Sequence, residues 1–154
     1  MKKITVNTLD ELDELAAKLA PLLEPTHTFL LNGNLGSGKS EFVSRVAAHA
    51  GVKNEITSPT FCFINEYEAN NFMLYHFDVY RLNSEDELSE IGFDECGYNP
   101  SDGVSFIEWA DLFSDSMPTD AVRLEFSGQG SEPREIMVDA CGPQSQALVE
   151  KWLA

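Results

Sequence analysis

The sequence predicts an α/β fold with a mostly parallel central sheet, antiparallel strands extending it, and helices on both faces. Three observations carry that expectation. A strand-like run, Thr28-Phe29-Leu30-Leu31, passes through a glycine-rich loop into a helix-like run, Glu41 to Ala48. A short, mainly apolar run near Val104 to Ile107 has the character of a central strand buried on both faces. Two pairs of alternating runs are joined by turn-forming residues, as in antiparallel hairpins.

In order along the chain, Lys3 to Val6 reads as a first strand. Thr8 and Glu11 then form a capping box for a helix carrying Leu9, Leu12, Leu15, Ala16 and Leu19 on one face, with Pro21 near its end. Gly51 stops the helix after the glycine-rich loop. A strand begins near Thr60, with Phe61, Phe63 and Asn65 alternating, and a turn at Glu68–Asn71 returns it along Phe72 to Phe77. Ser84 and Glu87 open an acidic helix that runs to Ile91 and stops at Gly92. Val122 to Phe126 and Glu135 to Val138 form the second hairpin across Gly128-Gln129-Gly130, and Gln144 to Trp152 closes the chain as a helix. With no repeat and no linker, residues 1–154 are expected to form one domain.

Composition narrows the function classes. The 26 acidic residues against 10 basic give a formal charge of −16. Such a field repels phosphate backbones, so no direct grip on nucleic acid is expected. Between Asn54 and Val122 the one basic residue is Arg81. No apolar stretch approaches membrane-spanning length, and the acids from Asp10 onward leave no signal-peptide core. Cys62, Cys96 and Cys141 have no paired spacing, which fits reduced thiols and a cytoplasmic protein.

The loop itself, Gly33-Asn34-Leu35-Gly36-Ser37-Gly38-Lys39-Ser40, matches G-x-x-x-x-G-K-[ST] at every fixed position. With a strand before it and a helix after it, this is the phosphate-binding loop of a P-loop nucleotidase. Glycines let several N–H groups converge on one anion, and the helix N-terminus adds partial positive charge. Lys39 can then reach the terminal phosphates, and the Ser40 hydroxyl can ligate Mg²⁺. Hydrolysis needs a carboxylate at an apolar strand end beside this loop. Glu108, ending Val104 to Ile107, and Asp78, ending Phe72 to Phe77, both qualify. Each also has a plain reading, as a strand-end acid or a turn cap. His76 is read as a buried, hydrogen-bonded side chain, and Arg81 as the ion-pair partner of Glu85 or Asp86. In Ser58-Pro59-Thr60-Phe61, Thr60 can sense the γ-phosphate, and a strand-initiating turn explains the same residues.

Together the P-loop, Ser58-Pro59-Thr60-Phe61, His76-Phe77-Asp78-Val79-Tyr80-Arg81, Ile91 to Glu95 and Ile107-Glu108-Trp109 closely resemble one family. It is the bacterial ATPase of tRNA threonylcarbamoyladenosine synthesis, known as TsaE or YjeE. The likeness covers about residues 28 to 110. It implies Mg²⁺-dependent ATP hydrolysis, weak in the isolated protein, and docking onto a TsaB–TsaD heterodimer that modifies an adenosine beside the tRNA anticodon. It also implies that Asn34 to Ser40, Thr60 and Trp109 bind or flank the nucleotide. Lys39, Asp78 and Glu108 would act in catalysis, and Ser40 and Glu108 would attend the metal. Position 40 is Ser where threonine is commoner in the family. No motif follows about residue 115, so that segment carries no functional expectation.

Two other readings are compatible with a P-loop. A small-molecule kinase would need arginines for an anionic acceptor, and the chain has four, Arg45, Arg81, Arg123 and Arg134. A binding module gated by nucleotide, with hydrolysis incidental, is the non-enzymatic alternative. A guanine-reading Asn-Lys-x-Asp segment is absent, which disfavours a GTPase.

Overall fold

A computed structural model describes residues 1–53 and 63–154. Among these, the strands are β1 (Lys2–Val6), β2 (Thr28–Gly33), β3 (Ile64–Glu68), β4 (Met73–Asp78), β5 (Gly103–Glu108), β6 (Ala121–Ser127) and β7 (Arg134–Cys141). The helices are α1 (Leu9–Leu19), α2 (Lys39–His49), α3 (Glu85–Glu90), α4 (Phe93–Cys96) and α5 (Pro143–Trp152). One sheet runs in the order β1-β7-β6-β2-β5-β4-β3. Its central strands β6, β2, β5 and β4 are mutually parallel, and antiparallel β7 and β1 on one side and β3 on the other extend it. This is the α/β arrangement the sequence predicts.

Two apolar layers explain why the central strands read as continuous hydrophobic runs. On one face Phe29, Leu31, Leu74, Phe106 and Leu124 pack under α1, α2 and α5. On the other, Leu30, Phe77 and Ile107 pack under α3, α4 and the 3-10 segment Ala110–Ser116. The rings of Phe29 and Phe106 stack at 4.7 Å, joining β2 to β5. Burying each such ring contributes on the order of 2–3 kcal/mol. At the far end of the chain Trp152 is fully buried and donates its indole N–H to the Leu15 carbonyl at 3.0 Å, which fastens α5 to α1.

Local chemistry sets the boundaries. The Thr8 hydroxyl accepts from the Glu11 N–H at 3.1 Å, and the Glu11 carboxylate accepts from the Asn7 N–H at 2.8 Å. Three details differ from the sequence reading. Leu9 is 61% exposed and lines a cavity, whereas Leu12, Leu15, Ala16 and Leu19 are buried. Ser84 makes no cap bond through its side chain, although Glu87 reaches back to the Asn83 N–H at 3.1 Å. Phe63 has φ 62 and stands just before β3, which begins at Ile64, so it is not one of the alternating strand residues; the expected start near Thr60 and Phe61 lies outside the described residues. No described helix is long and apolar enough to cross a membrane.

Candidate nucleotide and metal site

Parallel strands ending together place their last residues side by side, and this is where open α/β sheets take ligands. Glu108, closing β5, is in register with Leu31 of β2 on one side and Asp78 of β4 on the other. The chain leaves β2 at Gly33 and turns through Asn34 to Gly38 into α2. Gly33 has φ 140, and a Cβ there would lie 2.4 Å from the Phe126 carbonyl oxygen. Gly38 caps α2 at φ 104, a conformation only glycine adopts without strain. The two glycines of the motif are thus fixed by backbone geometry, and residues Asn34 to Ser40 line one cavity.

Four side chains from three elements, α2, β4 and β5, meet under this loop. Lys39, 4% exposed, donates from Nζ to the Gly33 carbonyl and lies 3.9 Å from the Trp109 ring centroid. Ser40 donates its hydroxyl hydrogen to Glu108 Oε2 at 2.7 Å. His76, 1% exposed, meets the same oxygen through Nε2 at 2.5 Å. Because a carboxylate only accepts, the ring proton sits on Nε2. Burial alone would raise the Glu108 pKa, but the bonds from His76 and Ser40 and the Lys39 charge outweigh it and hold the group below the usual range. Asp78 behaves oppositely. Burial and the Glu108 charge raise it, against the Tyr80 N–H that donates to its Oδ1 at 3.0 Å. Burial also lowers the Lys39 pKa, opposed by Glu108, Asp78 and Asp111.

Trp109 adopts φ 65 and donates its N–H to the Leu31 carbonyl at 2.9 Å, which turns its ring over Lys39. Tyr80, 58% exposed, covers it with ring centroids 4.6 Å apart. Trp109 therefore flanks the lysine and does not line the adjoining cavity. Arg81 is exposed and makes no ion pair among the described residues, so the pairing expected with Glu85 or Asp86 is not formed. Thr60 lies outside the described residues. Asp94 and Glu95 sit in α4, not at a strand end.

The cavity measures about 540 Å³, the size of a nucleotide-scale pocket. The P-loop forms its floor, the β1–α1 turn with Val6, Leu9 and Leu12 one wall, and the β6–β7 turn with Arg134 the other. Arg134 donates through Nη2 to the carbonyls of Gly130 at 3.0 Å and Gly36 at 3.4 Å. Sequence reasoning assigned nothing to either wall. The turn residues Gly128-Gln129-Gly130 marked a hairpin but not its nearness to a loop about 95 residues earlier, and Leu9 was counted as core.

The donor set fits Mg²⁺ and a polyphosphate. Ser37 Oγ is buried without a partner among the described residues and borders the cavity at the phosphate loop. Ser40 spends its hydrogen on Glu108, which leaves its lone pairs for a cation. No cluster of three or more His, Cys, Asp or Glu side chains is arranged among the described residues to hold a metal unaided. Mg²⁺ needs no such cage, since it draws most ligands from phosphates and water.

Comparison with known proteins agrees with this layout. The family model "Threonylcarbamoyl adenosine biosynthesis protein TsaE" matches residues 6–136. The tRNA threonylcarbamoyladenosine biosynthesis protein TsaE of Bacillus subtilis (strain 168) is 35% identical over 98% of this chain and 92% of its own. The protein of the same name from Treponema pallidum (strain Nichols) is 38% identical over 76% of this chain and 84% of its own. The crystal structure of Bacillus subtilis YdiB superposes with a TM-score of 0.82 at 29% identity, covering 99% of this chain and 93% of that one.

Proposed function

The chain belongs to the TsaE family, and from that premise we propose that it is a Mg²⁺-dependent ATPase serving tRNA threonylcarbamoyladenosine biosynthesis through a TsaB–TsaD pair. The observation that carries the reading is the meeting of Lys39, Ser40 and Glu108 under the P-loop at the mouth of a nucleotide-sized cavity. The backbone amides of Asn34 to Ser40 cradle the phosphates, and Lys39 exchanges the Gly33 carbonyl for a phosphate oxygen. The cation, when bound, neutralises charge on the β- and γ-phosphates. Ser40 and Glu108 hold it, Ser40 through oxygen and Glu108 as the acceptor of the Ser40 hydrogen.

Asp78 serves as the base that orients the attacking water. A base works best with its pKa raised toward the working pH, and burial raises Asp78 whereas Glu108 is held down. The base and ribose occupy the apolar wall at Val6, Leu9 and Leu12. Trp109 and Tyr80 flank Lys39 on the exposed side, so a docked partner can alter the lysine's surroundings. With a charge of −16 the protein reaches tRNA through protein contacts in the cytoplasm, not by gripping RNA.

The test is Mg²⁺-dependent ATP hydrolysis by the purified protein, alone and with the TsaB–TsaD pair. Stimulation by the pair is expected. ATP binding with no stimulation would overturn the partner-activated reading in favour of a nucleotide-gated module or a kinase with a missing acceptor.

A further inference from the structure

His76 is the one buried ionisable side chain at the site to which the mechanism above gives no task. It sits one pleat before Asp78, opposite Phe106 of β5, so Glu108 is its diagonal neighbour across the parallel pair. Leu74, His76 and Asp78 therefore share the sheet face of α2. The imidazole does not line the cavity. It reaches the site only through Glu108, and its Nδ1 is buried without a partner among the described residues. Here one bond, charge-assisted and 2.5 Å long, fixes the ring to one carboxylate oxygen.

That oxygen is also the acceptor of the Ser40 hydrogen. A hydroxyl has one hydrogen, and where it points decides where its lone pairs point. We propose that His76 is the positioning residue for Glu108: it fixes the oxygen that receives the Ser40 hydrogen and so aims the Ser40 lone pairs at the divalent cation. This rests on the Mg²⁺-nucleotide reading of the site. Without the imidazole, the carboxylate is free to rotate toward the Lys39 ammonium, and Ser40 loses its fixed acceptor.

The experiment compares His76→Leu, His76→Gln and His76→Asn by equilibrium binding of a fluorescent ATP analogue, in Mg²⁺ and in EDTA, with Tm recorded beside it. The Gln amide keeps a donor near the Nε2 position, and the shorter Asn amide does not. Wild type tightens on adding Mg²⁺. His76→Leu and His76→Asn lose about tenfold of that tightening, the effect of one hydrogen bond to a charged group, while affinity in EDTA is unchanged. His76→Gln stays within about threefold of wild type by the same reasoning. Should His76→Leu not fold, the contrast between Asn and Gln carries the same decision. A lower Tm in every variant with Mg²⁺-dependent tightening intact would overturn the positioning role and leave packing. Wild type that binds the analogue in neither condition would overturn the nucleotide reading itself.

Discussion

The two ends of the same central strands are built on opposite terms. At their N-terminal ends a neutral polar network is satisfied throughout. Ser105 donates to the Gly97 carbonyl at 2.6 Å and accepts from the Thr28 hydroxyl at 3.1 Å, and Asn99 donates to the carbonyls of Thr26 and Asp120 at 2.8 and 3.0 Å. At their C-terminal ends the buried Lys39, Glu108 and His76 and the half-buried Asp78 gather charge, with Ser37 Oγ and His76 Nδ1 left without partners among the described residues. Buried polar groups are ordinarily paired, and exceptions concentrate where a ligand completes the set. The satisfied end holds the fold; the other end is held in readiness by it.

Substitutions at the two ends should separate function from stability. The largest effect is expected for Glu108→Gln, which keeps shape but loses the charge. Turnover should fall about 10- to 100-fold, the scale of losing a partner that orients a metal ligand, with ATP affinity in EDTA retained and the Mg²⁺-dependent tightening reduced; unchanged turnover would remove Glu108 from the chemistry. Lys39→Ala should weaken ATP binding by about tenfold or more, as expected for a bond to a charged group, with little change in Tm. Titration of a fluorescent ATP analogue decides it.

Ser105→Ala tests the other end. It should lower stability by about 1.5 kcal/mol, or roughly 3–6 °C in Tm for a chain of this size, and leave ATP binding alone. A shift in nucleotide affinity would show that the ends are not independent. The smallest effect belongs to Asp120, whose carboxylate accepts from the N–H groups of Gln144 and Ser145 at 3.1 and 2.9 Å and so caps α5. Burial opposes ionisation there, but the bonds from Ser145 and Gln144 win and lower the pKa. A depressed carboxylate stabilises the fold above its unfolded pKa of about 4 and loses that contribution as pH falls through the folded value. Asp120→Ala should therefore lose about 1 kcal/mol at neutral pH, and the gap from wild type should close on acidification. A gap that stays constant down to pH 3 would contradict the sign.

How much of this was legible in the sequence follows from distance along the chain. The phosphate loop was readable because its glycines, lysine and serine act within eight residues, and the strand and helix around it declare themselves by period. Glu108 and Asp78 were readable as strand-end acids. The division of labour proposed for them was not, since it depends on His76 reaching a carboxylate 32 residues away and on how deeply each acid is buried. The cavity walls left no trace at all. Val6, Leu9 and Leu12 present only apolar surface, and Arg134 works through backbone carbonyls, so neither wall has a residue pattern to find. The positive φ at Phe63 and Trp109 escaped for a related reason: bulky residues take that conformation only when tertiary contacts impose it.

The deep placement of Lys39 also bears on how fast the site fills. On the proposed reading a chain of net charge −16 must admit a polyanion, and the cation that would meet it is 4% exposed and already balanced by Glu108, Asp78 and Asp111. At a distance, an approaching nucleotide meets only the repulsive field of the whole molecule. Added salt screens that field over about 10 Å at 0.1 M, yet it screens the enclosed contacts far less. Association with ATP should consequently quicken as ionic strength rises, the reverse of the usual behaviour of anion sites, while dissociation stays nearly constant.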